Sequence, residues 1–108
     1  MTESVVVLVT VGSADEGERI AHSLVSERLA ACVSLVGPVT SIYRWQGEIV
    51  RDEERLLIIK TRGTLVPELE ARVKALHSYT TPEVIALPIS AGSQAYLRWL
   101  EAETVAKA

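Results

Sequence analysis

The 108-residue sequence predicts an α+β fold, a ferredoxin-like βαββαβ sandwich with a long hairpin between the second and third strands and an additional C-terminal helix. Three observations predict it. A β-branched run followed by a helical stripe occurs twice, in the order that right-handed crossovers turn into a split β-α-β sheet. Gln46-Gly47 sits between two long strand-like arms, as a two-residue hairpin turn requires. The strand segments are apolar on both parities, which marks them as core.

Val5–Val11 reads as the first buried strand. Ser13-Ala14-Asp15-Glu16 then forms a capping box, with Ser13 and Glu16 each set to bind an otherwise unpaired backbone N–H. The helix behind it places Ile20, Ala21, Leu24, Val25 and Leu29 on one stripe and ends near Ala30. Ala31–Val36 and Val39–Trp45 make one long strand, interrupted at Gly37-Pro38, where the missing N–H calls for a bulge or bend. The return strand is Glu48–Thr61. A helix covers Thr64–His77, with Leu65, Leu69, Val73 and Leu76 inward. Pro82–Ile89 is the last core strand, and a helix from Ser93 packs Tyr96, Leu97 and Leu100.

One copy of this chain lacks cover for its own sheet. Helices shield one face, yet Val6 and Leu8 alternate with Val5, Val7 and Val9, and Ile85 and Leu87 with Val84 and Ala86. The hairpin arms, about 14 residues each, reach roughly 45 Å at about 3.3 Å per residue. A compact chain of this size has a diameter of only about 34 Å. The hairpin therefore projects, carrying Tyr43 and Trp45, and its edge invites pairing with another subunit. A twisted hairpin folded back on its own domain is the competing expectation.

Composition narrows the function. Eleven basic and 14 acidic side chains give a net charge of −3, against the basic surface of a nucleic-acid binder. The apolar run Val5–Val9 is far too short to cross a membrane, and Met1–Ser4 lacks the positive flank of a secretory signal. A cytoplasmic protein is expected. A single cysteine excludes an intrachain disulfide. Phosphate-loop, H-E-x-x-H and G-x-S-x-G signatures are missing, so no catalytic residue is assigned.

Each remaining candidate has a plain structural alternative. His77 either caps its helix through the dipole or offers imidazole to a metal. His22, flanked at helical spacing by Glu18 and Ser26, belongs on a solvated face. Cys32 is by default a small hydrophobe, with thiolate chemistry as the alternative. Asp52, Glu53 and Glu54, with Glu48, form an acidic patch. Successive strand residues face opposite ways, so the run reads as a solvated or intersubunit salt-bridge network with Arg44, Arg51 and Arg55, with a hard-cation site as the alternative. Lys60 is a sheet-edge charge or an anion contact.

Five blocks, Arg28–Val33, Ser41–Gly47, Ile59–Thr61, His77–Glu83 and Tyr96–Trp99, together resemble the CutA family of divalent-cation tolerance proteins, in order along nearly the whole chain. The resemblance implies one CutA-like domain over 1–108 and a cytoplasmic homotrimer. Its sheets would pack about a threefold axis, and its hairpins, here bearing Tyr43 and Trp45, would pair between subunits. It also implies a link to copper and other divalent metals. Members discussed as copper binders carry a first-strand cysteine and two adjacent histidines where the second helix ends. Those positions here are Val9 and Leu76-His77, which leaves His77, with Cys32 matching the family's other cysteine.

The leading expectation is a non-enzymatic homotrimer in divalent-cation tolerance or response, binding copper or another divalent metal weakly. The alternative is a trimeric small-ligand sensor or protein-interaction scaffold resembling nitrogen-regulatory signalling proteins, with Lys60 and Tyr79 facing an anionic ligand in an intersubunit cleft. An acylphosphatase-like hydrolase wants an arginine-bearing loop, and Gly12–Glu16 supplies none.

Overall fold

The computed structural model describes residues 2–105. In chain order the elements are β1 (Ser4–Val11), α1 (Ala14–Ser26), β2 (Cys32–Trp45), β3 (Glu48–Arg62), a 3-10 turn (Gly63–Leu65), α2 (Val66–Leu76), β4 (Ile85–Pro88) and α3 (Gln94–Glu103). The sheet order is β2-β3-β1-β4 with every neighbouring pair antiparallel. β1 thus runs parallel to β2 across β3, and β3 parallel to β4 across β1, the split β-α-β arrangement of the ferredoxin-like fold.

One face of this sheet is closed by the helices. Val7, Val9 and Val11 of β1 sit beside Ile59, Leu57 and Arg55 of β3, and the apolar members pack with Ile20 and Leu24 of α1 and Leu69 and Val73 of α2. Ser13 caps α1, its Oγ accepting the Glu16 N–H at 3.2 Å. The second half of the expected capping box is absent, because the Glu16 side chain turns to the far end of α2 instead. α1 stops at Ser26, short of Ala30. Arg28 adopts a left-handed φ of 61° and the N–H groups of Leu29 and Ala30 return to the Leu24 carbonyl. Val25 is consequently exposed rather than on the packed stripe. On α3 only Leu100 is fully buried, while Tyr96 is exposed and leans on Trp99 at a ring distance of 5.5 Å.

The hairpin matches its expected form. β2 has 14 residues and β3 has 15, and the turn residues Gln46 and Gly47 both have positive φ, as a tight right-twisted hairpin demands. β1 pairs with β3 only as far as Val11↔Arg55. Beyond it β2 and β3 pair only with each other, from Val39↔Glu54 to Trp45↔Glu48, a ribbon of roughly 20 Å at about 3.3 Å per residue. The molecule is accordingly 44 Å long and 21 Å thin, with a radius of gyration of 14.3 Å.

A register shift lies between Val36 and Val39. Val36 pairs with Leu56 and Val39 with Glu54, so Gly37 and Pro38 together face Arg55 alone. The Arg55 side chain crosses Gly37 so closely that any Cβ there would collide with it. The extra residue inverts the parity of β2. Cys32, Ser34 and Val36 share the open face with Lys60, Ile58 and Leu56, and past the bulge Ser41, Tyr43 and Trp45 join Asp52 and Glu54 on that same face.

β4 is shorter than the expected Pro82–Ile89 and all four of its residues are exposed. Residues 77–84 lie over the end of β1 and the hairpin base, so the chain meets β1 only opposite Val5–Leu8.

Candidate functional site

Where the 77–84 loop crosses the hairpin base it encloses a groove of about 700 Å³. Thr10 of β1 and Glu54 of β3 form its floor, Ser41, Tyr43 and Trp45 of β2 one wall, and Tyr79, Thr80 and Glu83 of the loop the other.

Two carboxylates and one imidazole hold the loop. His77 ends α2, its N–H bonding the Val73 carbonyl at 2.8 Å. Its ring is fully buried, with Nε2 2.7 Å from the Thr10 carbonyl and Nδ1 3.0 Å from the Tyr79 N–H. Nδ1 therefore accepts and Nε2 donates. Glu16, reaching from the first turn of α1, accepts the Ser78 N–H at 2.7 Å on Oε2 and the Ser78 hydroxyl at 3.0 Å on Oε1. Burial alone would raise the Glu16 carboxyl. The two Ser78 hydrogen bonds, the His77 ring and the Gly12 backbone outweigh it and hold the group below its ordinary range.

The second carboxylate is Glu54. It is 5% exposed, and its Oε2 accepts the Tyr79 hydroxyl at 2.7 Å. Burial first, then that hydrogen bond and the charges of Glu54 and Asp52, push the Tyr79 phenol well above its usual range. Nearer the tip, the Tyr43 hydroxyl bonds Asp52, which raises the Tyr43 phenol as well. Asp52 and Glu54 thus differ from the expected salt-bridge network: their partners are tyrosine hydroxyls on the same face.

Tyr43, Trp45 and Tyr79 come together in the groove, while Lys60 and Cys32 do not join them. Those two are a cross-strand pair on the open face, six residues along β3 from Glu54, or roughly 20 Å. A cleft holding both Lys60 and Tyr79 needs more than one chain. His22 is exposed on α1, as read. The sequence presents Glu16 only as part of a capping box and Glu54 only as one acid of a patch, and it gives no sign of Ser78 or Thr10 as site residues. The signal for Glu54 was present, since alternation puts it on one side with Asp52, away from Glu53.

A metal site of the implied design does not fit these residues. Val9 is buried under the helices and Leu76 packs against the core, and neither side chain has a donor atom. Both nitrogens of His77 are engaged by backbone groups. Cys32 lies on another part of the sheet. Among the described residues no group of three or more His, Cys, Asp and Glu side chains is arranged to hold an ion. No helix among them is long and apolar enough to cross a membrane.

Comparison with known proteins places this architecture. A family profile described as CutA1 divalent ion tolerance protein matches residues 5–103. The divalent-cation tolerance protein CutA of Thermus thermophilus is 57% identical over 99 residues, which are 92% of this chain and 96% of its own length. The chloroplastic protein CutA of Arabidopsis thaliana is 50% identical over 101 residues, 94% of this chain and 56% of its own. A solved Cut A1 structure from Thermus thermophilus superposes with a TM-score of 0.93 at 55% identity, covering 94% of this chain and 99% of the other. The ferredoxin-like fold, the projecting hairpin and these matches agree: the chain belongs to the CutA1 family of divalent ion tolerance proteins.

Proposed function

We propose that the chain, one CutA-like domain over residues 1–108, acts as a non-enzymatic homotrimer in divalent-cation tolerance or response. The tolerance role rests on the family match, and the observation that carries the assembly is the uncovered apolar surface on one side of the sheet and along the hairpin. Ile85 and Leu87 are about half exposed, Ile42 is 68% exposed and Ile49 70%. Patches of that extent mark interaction surfaces, and further copies of the chain would cover them, with Tyr43 and Trp45 at the contact. Light scattering on the purified protein tests the reading. The expected mass is three times the 11.8 kDa of one chain, and a single-chain mass at working concentration overturns it.

In this proposal His77 positions the 77–84 loop rather than supplying a resident metal site. Titration with copper is expected to give the same curve for the wild type and His77→Ala. A lost binding phase in the variant would restore His77 as a ligand. Cytoplasmic residence belongs to the same proposal and is consistent with Cys32 as a free thiol. The Arabidopsis relative, by its name, is chloroplastic.

A second reading, a trimeric small-ligand sensor, is favoured by the groove itself. Its volume of about 700 Å³ suits a small molecule. The expectation of an anionic ligand gains no support there, because no Lys, Arg or His among the described residues lines it.

A further inference from the structure

We propose that the two faces of the projecting ribbon bind each other between copies, with Arg44 and Arg51 on the back of one ribbon filling the acidic groove of the next. The inference rests on the homotrimer reading and deepens it, by naming the groups that complete the surroundings of Glu54.

The ribbon has two unlike faces. Cross-strand partners share a face, so Ser41, Tyr43 and Trp45 stand with Glu48, Asp52 and Glu54 on the groove side. Thr40, Ile42 and Arg44 stand with Ile49, Arg51 and Glu53 on the back. The groove side of the ribbon thus carries three carboxylates and no basic side chain, while both of its arginines lie behind.

Each face lacks what the other offers. A buried carboxylate calls for a cation or a full set of donors, and Glu54 has the Tyr79 hydroxyl. None of the ion pairs among the described residues includes Glu48, Asp52 or Glu54. Glu83 adds negative charge from the loop across the groove. On the back, Arg44 and Arg51 are exposed and equally absent from those ion pairs. Ile42 and Ile49 beside them are the two most exposed large apolar side chains among the described residues. Aromatic rings next to carboxylates suit a guanidinium, which stacks on the rings while its fork pairs with the acids. The two isoleucines then have Tyr43 and Trp45 of the next copy to pack against.

Charge also fixes how the copies meet. Groove side against groove side would set Glu48, Asp52 and Glu54 against their own duplicates. Back against back would do the same with the arginines. Groove side against back opposes unlike charges. Such a contact is heterologous, so it repeats from copy to copy and closes as a ring, which allows the odd-numbered assembly that an isologous contact alone cannot make.

The test reverses each face in the full chain and follows mass by light scattering over a dilution series. Arg44→Glu with Arg51→Glu puts acid on both sides of the contact, and Glu48→Lys with Asp52→Lys puts base on both. Each pair is expected to raise the concentration at which the trimer dissociates by about hundredfold or more. All four changes together restore unlike charges and are expected to return it to within about tenfold of the wild type. Mixing the two reversed chains is expected to regenerate mass above that of either alone, which a rescue within one chain cannot do. Glu54→Gln, which keeps an acceptor for Tyr79, reads the groove itself. It is expected to weaken the wild-type trimer about tenfold, and to strengthen the Arg44→Glu, Arg51→Glu chain by relieving repulsion. Undiminished association in either reversed pair, failure of both the fourfold chain and the mixture to recover, or the same sign for Glu54→Gln in both backgrounds would overturn the proposal. Any of those results with a wild-type trimer refutes the face-to-back contact alone, whereas a wild type of single-chain mass refutes the trimer and this contact together.

Discussion

The two faces of the one sheet have nearly the same sequence chemistry and opposite fates. On the helix side Val7, Val9, Leu57 and Ile59 have no exposed surface. On the other side Val6, Leu8 and Ile58 are only partly covered, and Ile85 and Leu87 stand half exposed on the edge strand. Apolar character therefore does not decide burial. The presence of something to pack against does, and this chain supplies it once. The same contrast recurs in the tyrosine–carboxylate pairs, with Tyr79–Glu54 under the loop and Tyr43–Asp52 out on the ribbon.

Four measurements test how differently the two sides are held. The largest effect is expected from Leu57→Ala, which opens a cavity under the helices and costs about 2–5 kcal/mol in urea unfolding. Ile58→Ala, one residue along and facing the other way, is expected to cost less than half as much in the dissociated chain. Equal losses would mean that the two faces are equally packed.

Glu16→Gln is expected to follow, at about 1–3 kcal/mol, because it removes a charged acceptor from both Ser78 bonds. This carboxyl is held lower in the folded chain than in the unfolded one. Its stabilisation is therefore complete above the unfolded value near 4.5 and is lost as pH falls through the folded value. The wild type should lose stability on acidification below about pH 4.5 more steeply than the variant. Parallel acid profiles would remove the Glu16 clasp from the account.

Tyr79→Phe is expected to cost about 1–2 kcal/mol, since it strips the buried Glu54 of its donor. The Tyr79 phenol is raised in the folded state, so the stability it contributes is lost as pH rises past the ordinary tyrosine value. Ultraviolet titration should show tyrosinate absorbance appearing late in the wild type, with its latest component missing in the variant. The smallest effect on the chain itself is expected from Leu87→Asp, within about 0.5 kcal/mol. In the proposed homotrimer the same change should abolish association, seen by light scattering as a fall to single-chain mass. An unchanged mass would show that this part of the open face is not an interface.

Much of the fold was legible because it is written locally. Ser13 caps within three residues, Gln46-Gly47 closes the hairpin by its own backbone preference, and Gly37-Pro38 marks its bulge. What escaped depends on distant partners. The true end of α1 follows from the left-handed turn at Arg28, whose guanidinium and carbonyl are tied to the end of α3 through Ala102 and Val105. Glu16 looked like half of a capping box, and only the fold brings Ser78 to it across 62 residues. Glu54 looked like one acid in a solvated run until the loop closed over it. Tyr43, Trp45 and Tyr79 were each noticed, but their meeting in one groove required the loop to cross the hairpin base.

The single additional residue between Val36 and Val39 acts as a length-coded address. Counting along β2, every side chain beyond it is delivered to the side opposite the one it would otherwise take. Pair that stretch one residue to one instead, with the sequence unchanged, and Ile42 and Arg44 would arrive where Tyr43 and Trp45 now stand. The aromatic wall would be dispatched to the wrong surface without the loss of a single aromatic side chain.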